Sequence, residues 1–271
     1  MTILLTGVTG LVGARLLPRL VDAGIDCRAL VRPGRSVPDG VAAVEGDVLD
    51  PQSLARAVDG VSAIVHLAAV LRTPDPARIE EVNVRGTRNL IAAAQEGAPL
   101  ARFVMASTGL VYGPGLDRPA REKDPAEAPM PYPVSKVKAE KALRESGLNW
   151  SVLRLAFVYG DADDHLRSAP ALLGNWNWHP AQRLSLVHHR DIATAVLLAL
   201  TGAMDGRVVN IGDESPTSVY EIAGIVGADY QASAEPLTDP WMGQMDVTLA
   251  RQLGFRPSVP TVYQAAREGA L

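Results

Sequence analysis

Two stretches of this chain carry residues whose types and spacing can do chemistry. The first is Tyr132-Pro133-Val134-Ser135-Lys136. Pro133 suits the first turn of a helix, and the i, i+4 spacing puts Tyr132 and Lys136 on one helical face. A cation beside a phenol favours phenolate and lowers its pKa from about 10 toward neutrality, as a proton-transfer group requires. A Y-x-x-x-K spacing recurs by chance, so its position carries the argument. It follows a strand ending in Ser107 and Thr108, hydroxyls able to hold an oxygen of a bound molecule. The second stretch is Thr6-Gly7-Val8-Thr9-Gly10-Leu11-Val12-Gly13, directly after the apolar run Thr2-Ile3-Leu4-Leu5. Gly7 permits a tight turn, Gly10 lets a pyrophosphate approach the backbone, and Gly13 lets a helix pack on the strand. The helix that follows has apolar residues at Leu11, Val12, Leu16, Leu17 and Leu20. Its free N–H groups and positive dipole end meet the phosphates.

The elements that must position these groups alternate along the chain. Beyond the first strand and helix, the pattern predicts strands at 28–31, 41–44, 63–67, 102–106 and 151–155. Helices are predicted at 51–58, 80–94 and 134–145. Such alternation gives parallel strands with right-handed crossovers, a Rossmann-type doubly wound α/β sheet with helices on both faces. Residues 1–155 are read as the dinucleotide-binding domain, to which 185–212 returns. Residues 156–184 and 213–271 form a small C-terminal substrate lobe. The Pro- and Asp-rich stretch from Gly113 to Pro133 reads as a long functional loop.

Composition narrows the class. With 271 residues, 47% of them hydrophobic, the chain can bury a large core. A net charge of -4 and a pI of about 5.8 argue against nucleic acid or an anionic membrane as partner. Cys27 is the lone cysteine, which excludes an intrachain disulfide and fits a reducing compartment. It falls in the second strand, where a buried thiol is expected. The start of the chain enters a strand without a signal-peptide pattern. The longest apolar stretch, Ile192 to Leu200, is too short to span a bilayer, so a cytoplasmic location is expected.

Taken together, the motifs resemble the extended short-chain dehydrogenase/reductases, the group called the NAD-dependent epimerase/dehydratase family. The likeness rests on the glycine loop, on Tyr132 with Lys136, and on Ser107-Thr108-Gly109-Leu110-Val111-Tyr112-Gly113. It extends through Gly46-Asp47-Val48, His66-Leu67-Ala68-Ala69, Asn83 to Leu90, Val158-Tyr159-Gly160, His188 to Ala193, Val209 to Gly212 and Leu253 to Pro257. It implies hydride transfer at a carbinol or carbonyl carbon, with nicotinamide as carrier. Tyr132 is then the proton donor or acceptor. Lys136 binds the nicotinamide ribose and tunes Tyr132, and Thr108 hydrogen-bonds the substrate oxygen. Asp47 with Val48 contacts the adenine, while Leu67, Ala68 and Ala69 line the cofactor.

Charge bears on which cofactor is bound. NAD sites place an acid at the end of the second strand. Here that end reads Leu30-Val31-Arg32-Pro33-Gly34-Arg35. No acid is present, and Arg32 and Arg35 suit the 2′-phosphate of NADP, which is favoured over NAD. Departures from the family bear on substrate. Phe157 stands where sugar-nucleotide epimerases have Asn, and Leu184 where they have Arg, with Arg183 one residue off. Gly109 and Leu110 replace the acidic pair of the sugar dehydratases. The segment between Gly160 and His188 is short for a substrate lobe, and it holds Trp176 and Trp178. The two tryptophans either line a substrate pocket or plug the lobe onto its core. The five histidines lack metal-site spacing, and Asp191 is expected to support the lobe.

The expected enzyme is an NAD(P)-dependent oxidoreductase acting on a small carbonyl or alcohol. One alternative is a nucleotide-sugar epimerase working through a transient keto intermediate. A non-enzymatic alternative is a cofactor-binding regulator, against which the intact Thr108, Tyr132 and Lys136 weigh. A homodimer is expected through helices 80–94 and 134–145, carrying Val82, Leu90, Ile91, Val137, Ala142 and Leu143.

Overall fold

A computed structural model describes residues 1–271. The buried run Ile3, Leu4, Leu5 lies in β1 (Thr2–Thr6), and α1 (Gly13–Asp22) follows the glycine loop. Leu16, Leu17 and Leu20 form the buried stripe of α1, as their spacing requires, while Leu11 is exposed. The second strand, β2 (Asp26–Val31), starts two residues before its predicted bound and contains the buried Cys27. Burial lifts the Cys27 thiol to about 11, as expected of an inert structural cysteine. Then come β3 (Ala42–Glu45), α2 (Pro51–Val58) and β4 (Ala63–His66). Helix α2 has its predicted bounds: Asp50 caps it by accepting the Gln52 N–H, and Pro51 sits where no N–H is needed.

The single helix expected at 80–94 is a composite. A short α3 (Pro76–Ile79) leads into a π-helical segment, Glu80–Gly86, and then α4 (Thr87–Gly97). After β5 (Arg102–Thr108), α5 (Pro131–Arg144) starts three residues before the sequence expectation. Met130 is extended, and Pro131 and Pro133 both fall in the first turn, where missing N–H groups leave no bond unmade. The remaining strand of this series is β6 (Asn149–Leu155). Further on lie β7 (Phe157–Tyr159), α6 (His165–Asn175), β8 (Arg183–Leu184), β9 (Leu186–His188), α7 (His189–Leu200), β10 (Arg207–Ile211) and β11 (Thr217–Ser218). The chain finishes with α8 (Val219–Val226), α9 (Thr248–Gln252) and α10 (Val262–Arg267).

Seven strands form one sheet in the order β10-β6-β5-β4-β1-β2-β3. β1 pairs in parallel with β2 and β4, β2 with β3, and β4 with β5. The order reverses between β1 and β4, and in doubly wound sheets ligands bind at the carboxyl ends of strands flanking such a switch point. The fold is Rossmann-type. By contact density the chain divides into two compact units. The first comprises Met1–Thr108, Pro129–Leu153 and Ala195–Val208; the second comprises Gly109–Ala128, Arg154–Thr194 and Val209–Leu271. Leu4, Ile64, Phe103 and Leu90 belong to the core of the first, and Tyr159, Leu173, Ile222 and Val262 to that of the second. No helix is long and apolar enough to cross a membrane.

Candidate active site

The first unit holds the glycine loop at the switch point. Gly7 has φ +75°, and a Cβ there would lie 2.6 Å from the Ala68 amide nitrogen, so the ends of β1 and β4 meet only through glycine. A Cβ on Gly13 would sit 2.2 Å from the Gly7 carbonyl oxygen, which fixes how closely α1 enters the turn. The amides of Leu11, Val12 and Gly13 donate to no group of the chain, and no side chain caps the helix. Thr9, Gly10 and Leu11 are exposed. Three unengaged donors at the positive end of a ten-residue helix fit a dinucleotide pyrophosphate.

A directed chain of hydrogen bonds ties this loop to the rest of the site. The Thr87 hydroxyl donates to the Asn83 carbonyl at 2.6 Å, so it accepts from His66 Nε2, 2.9 Å away. His66 Nδ1 is then the acceptor for the Thr6 hydroxyl at 2.7 Å, and Thr6 Oγ1 receives the Ala68 N–H at 3.3 Å. His66 is fully buried beside Lys136; burial and that neighbouring charge push its pKa down to about 3, so the ring stays neutral. Its assignment as a structural histidine agrees with this bonding.

Tyr132 and Lys136 lie on α5, with Lys136 buried and Tyr132 half-buried. The titration expected from their spacing does not hold in the chain alone. Burial raises the Tyr132 hydroxyl to about 12, and burial lowers the Lys136 ammonium to about 8, opposed in part by Glu140. Desolvation outweighs the attraction of Glu140 at Lys136, and at Tyr132 no neighbouring charge opposes it. At the end of β5, Ser107 donates to Glu140 Oε1 in a buried bond. Thr108 is nine-tenths buried at the strand's last position.

Asn83 is a positioning residue that spacing did not single out. It lies in the π-helical segment, a distortion often found at functional sites. Its Oδ1 accepts the Val70 N–H at 2.7 Å; its Nδ2 donates to the Val70 carbonyl and to Ser135 Oγ, each at 2.9 Å. Ser135 in turn donates to the Tyr132 carbonyl at 2.6 Å. One buried amide thus fixes both the loop after β4 and the turn carrying Tyr132. An isolated Asn in a helical pattern gives no such signal; only its place in the family motif marks it.

Other predicted positions fall as follows. Arg32 and Arg35 are exposed at the end of β2, joined by a backbone turn from the Arg35 N–H to the Arg32 carbonyl. Asp47 is half-buried and accepts the Leu49 N–H at 2.9 Å, while Val48 packs beside Gly86. Leu67, Ala68 and Ala69 follow the end of β4, Leu67 lying outside the strand predicted to include it. In the second unit Phe157 stacks on His165, with ring centroids 4.2 Å apart. Trp178 packs against the lobe core, whereas Trp176 is 43% exposed. Arg154 is buried with its guanidinium 5.0 Å from the Tyr112 ring centroid and donates to Tyr112 Oη at 3.0 Å. Arg183 donates to the Pro216 carbonyl at 2.7 Å. Asp191 receives the Ser258 and Val259 amides, a supporting role in the lobe.

The NAD dependent epimerase/dehydratase family model matches residues 3–212. The chain belongs to this family. A 4-hydroxy-2-methyl-3-oxo-4-farnesyl-3,4-dihydroquinoline-1-oxide ketoreductase from Stigmatella aurantiaca is 30% identical, over 79% of this chain and 69% of that protein. A short-chain dehydrogenase/reductase superfamily protein from Agrobacterium tumefaciens with bound NAD superposes with TM-score 0.80 and 26% identity, over 99% of this chain and 98% of that one. The Thermus thermophilus UDP-glucose 4-epimerase, in complex with NAD, gives TM-score 0.76 and 25% identity, over 96% and 95%. This epimerase/dehydratase family member is an NAD(P)-dependent enzyme of the extended short-chain dehydrogenase/reductase type.

Proposed function

We propose that the protein interconverts a carbonyl and an alcohol on a compact substrate, with Tyr132 transferring the proton and NADP as the preferred cofactor. The observation that carries the proton-transfer role is the placement of Tyr132 and the buried Lys136 one turn apart on α5. Burial holds Tyr132 near 12 and Lys136 near 8, the latter only partly offset by Glu140. Side chains at i and i+4 are neighbours. When Tyr132 gives up its proton to a substrate oxygen, the ammonium of Lys136 favours the phenolate. Thr108 is assigned to hold that oxygen. The nicotinamide supplies the hydride or takes it up. Thr6, Gly7, Thr9, Gly10, Leu11, Val12 and Gly13 hold the pyrophosphate, Asp47 and Val48 the adenine, and Leu67, Ala68 and Ala69 the wall beside it. Arg32 and Arg35 take the 2′-phosphate.

Phe157, Trp176 and Trp178 are proposed as substrate contacts. A nucleotide diphosphate needs cationic donors, and two of the arginines in this region are engaged: Arg154 with Tyr112 and Arg183 with the Pro216 carbonyl. Leu184 is buried in β8, and Phe157 is stacked on an imidazole. These features support reduction or oxidation over sugar-nucleotide epimerisation, since an unpaired buried phosphate charge is severely unfavourable. The ketoreductase relative is of the same reaction class. Calorimetry with uridine, thymidine and guanosine diphosphate sugars on cofactor-loaded protein tests the choice. No binding is expected; micromolar binding lost in Arg183→Ala would promote the epimerase.

The assembly proposed is a cytoplasmic C₂ homodimer through α4 and α5. Val82, Leu90, Ile91 and Leu143 are used in the subunit's own core, so the contact falls to the outward face, where Arg88, Ala92 and Val134 are exposed. Light scattering at micromolar concentration giving only the 28.7 kDa species would refute it.

A further inference from the structure

The second unit contains an open crevice of about 850 Å³, bounded by the end of α6 with the tryptophan turn on one side and residues 228–242 on the other. Trp176, Trp178 and Tyr230 stand in its walls. Trp176 is exposed with no ring or cation partner, and the Tyr230 hydroxyl donates to the Trp178 carbonyl at 2.7 Å. Gly243, with φ +84°, lets the backbone come so close to the Trp178 ring that a Cβ would lie 2.6 Å from it. The Trp178 ring is therefore wedged in place, and Trp176 is left to offer a free face.

The charges around the crevice have one predominant sign. Asp229, Glu235 and Asp239 line it, against a single cation, Arg167, whose largely exposed guanidinium lies 3.8 Å from Asp164. The Asp239 carboxylate accepts the Gly115 N–H at 2.9 Å through one oxygen, while the other is buried without a donor. His179 has no donor to spare. Its Nδ1 accepts the Ala181 N–H at 3.1 Å, so the proton is on Nε2, which donates to the Glu235 carbonyl at 2.9 Å. The Gln182 side-chain amide donates to the Met242 carbonyl at 2.6 Å. The crevice thus presents π faces and carboxylates. An anion meets repulsion there, whereas a ring carrying an ammonium group gains both stacking and charge.

We propose that this crevice binds an aromatic or heteroaromatic ring bearing a positive charge. The test is a binding measurement without turnover, so its failure leaves the role of Tyr132 untouched. Three probes of one shape are titrated calorimetrically at low ionic strength into wild type and Tyr132→Phe: 2-phenylethylammonium, 2-phenylethanol and 3-phenylpropionate. The ammonium probe is expected to bind both proteins alike, and about two- to fivefold more tightly than the alcohol, the range of an exposed cation–π contact. The carboxylate is expected to bind most weakly. Trp176→Ala weakens the ammonium probe at least fivefold, and Trp176→Phe restores it. Asp239→Asn, or the exposed Asp229→Asn if the former fails to fold, narrows the gap between ammonium and alcohol. Carboxylate binding as tight as ammonium binding would overturn the proposal. So would unchanged binding in Trp176→Ala, or no heat from any probe in the millimolar range.

Discussion

Asn83→Ala removes three hydrogen bonds at once, and the structure says what each loss does. Two bonds end on the Val70 backbone, which is half-buried and able to recruit water; the third ends on Ser135 Oγ, which is buried. At about 1 kcal/mol net per bond, the loss amounts to about 3 kcal/mol. For a protein of this size that corresponds to a fall in Tm of about 6–12 °C. Activity suffers separately, because Ser135 loses the partner that holds it under the Tyr132 carbonyl. Asn83→Asp keeps the acceptor for the Val70 N–H but turns an oxygen toward the Val70 carbonyl and invites the Ser135 hydroxyl to donate to it. That draws Ser135 away from Tyr132, so turnover falls at least as far as in Asn83→Ala. Scanning calorimetry with steady-state turnover decides the matter. A Tm within about 1 °C of wild type, where a single net bond alone is worth more, would refute this account of Asn83.

Other predictions concern the cofactor and pH. Wild type should bind NADP more tightly than NAD, and Arg32→Ala should remove about 1.5–3 kcal/mol of that preference; an NAD preference in wild type would reject the argument from charge. Lys136 has its folded-state pKa lowered from 10.5 to about 8, so the unfolded chain binds more protons between those values. The destabilisation is fully present below pH 8 and disappears as pH approaches 10.5. Lys136→Met should therefore unfold at higher urea than wild type at pH 7, with the gap closing by about pH 10.5, in cofactor-free protein. A gap that widens with pH would contradict the burial argument.

Much of the fold was legible because apolar periodicity and turn chemistry agree locally. The bounds of α2 follow from Asp50 and Pro51, and the glycine loop lies at the switch point where its composition puts it. What was not legible depends on tertiary burial. The periodicity of 80–94 is helical, but nothing in it distinguishes an α-helix from the π-helical segment that turns Asn83 toward Val70 and Ser135. Apolar positions on the proposed dimer helices served the core instead, since a single period describes either use. The Tyr132–Lys136 spacing counts one charge beside one phenol, but not the loss of water that moves both groups the other way. Trp176 and Trp178, two residues apart, differ in exposure because only one is wedged by Gly243.

The central claim is that Tyr132 moves the proton while the rest of the site holds the cofactor. The direct measurement is turnover of Tyr132→Phe with a carbonyl compound that wild type reduces, alongside the cofactor dissociation constant of both proteins. Removing only the transferable proton should cost about 10²- to 10⁴-fold in turnover and leave cofactor affinity within about twofold. A variant that keeps more than about a third of wild-type turnover, far above that range, would contradict the account.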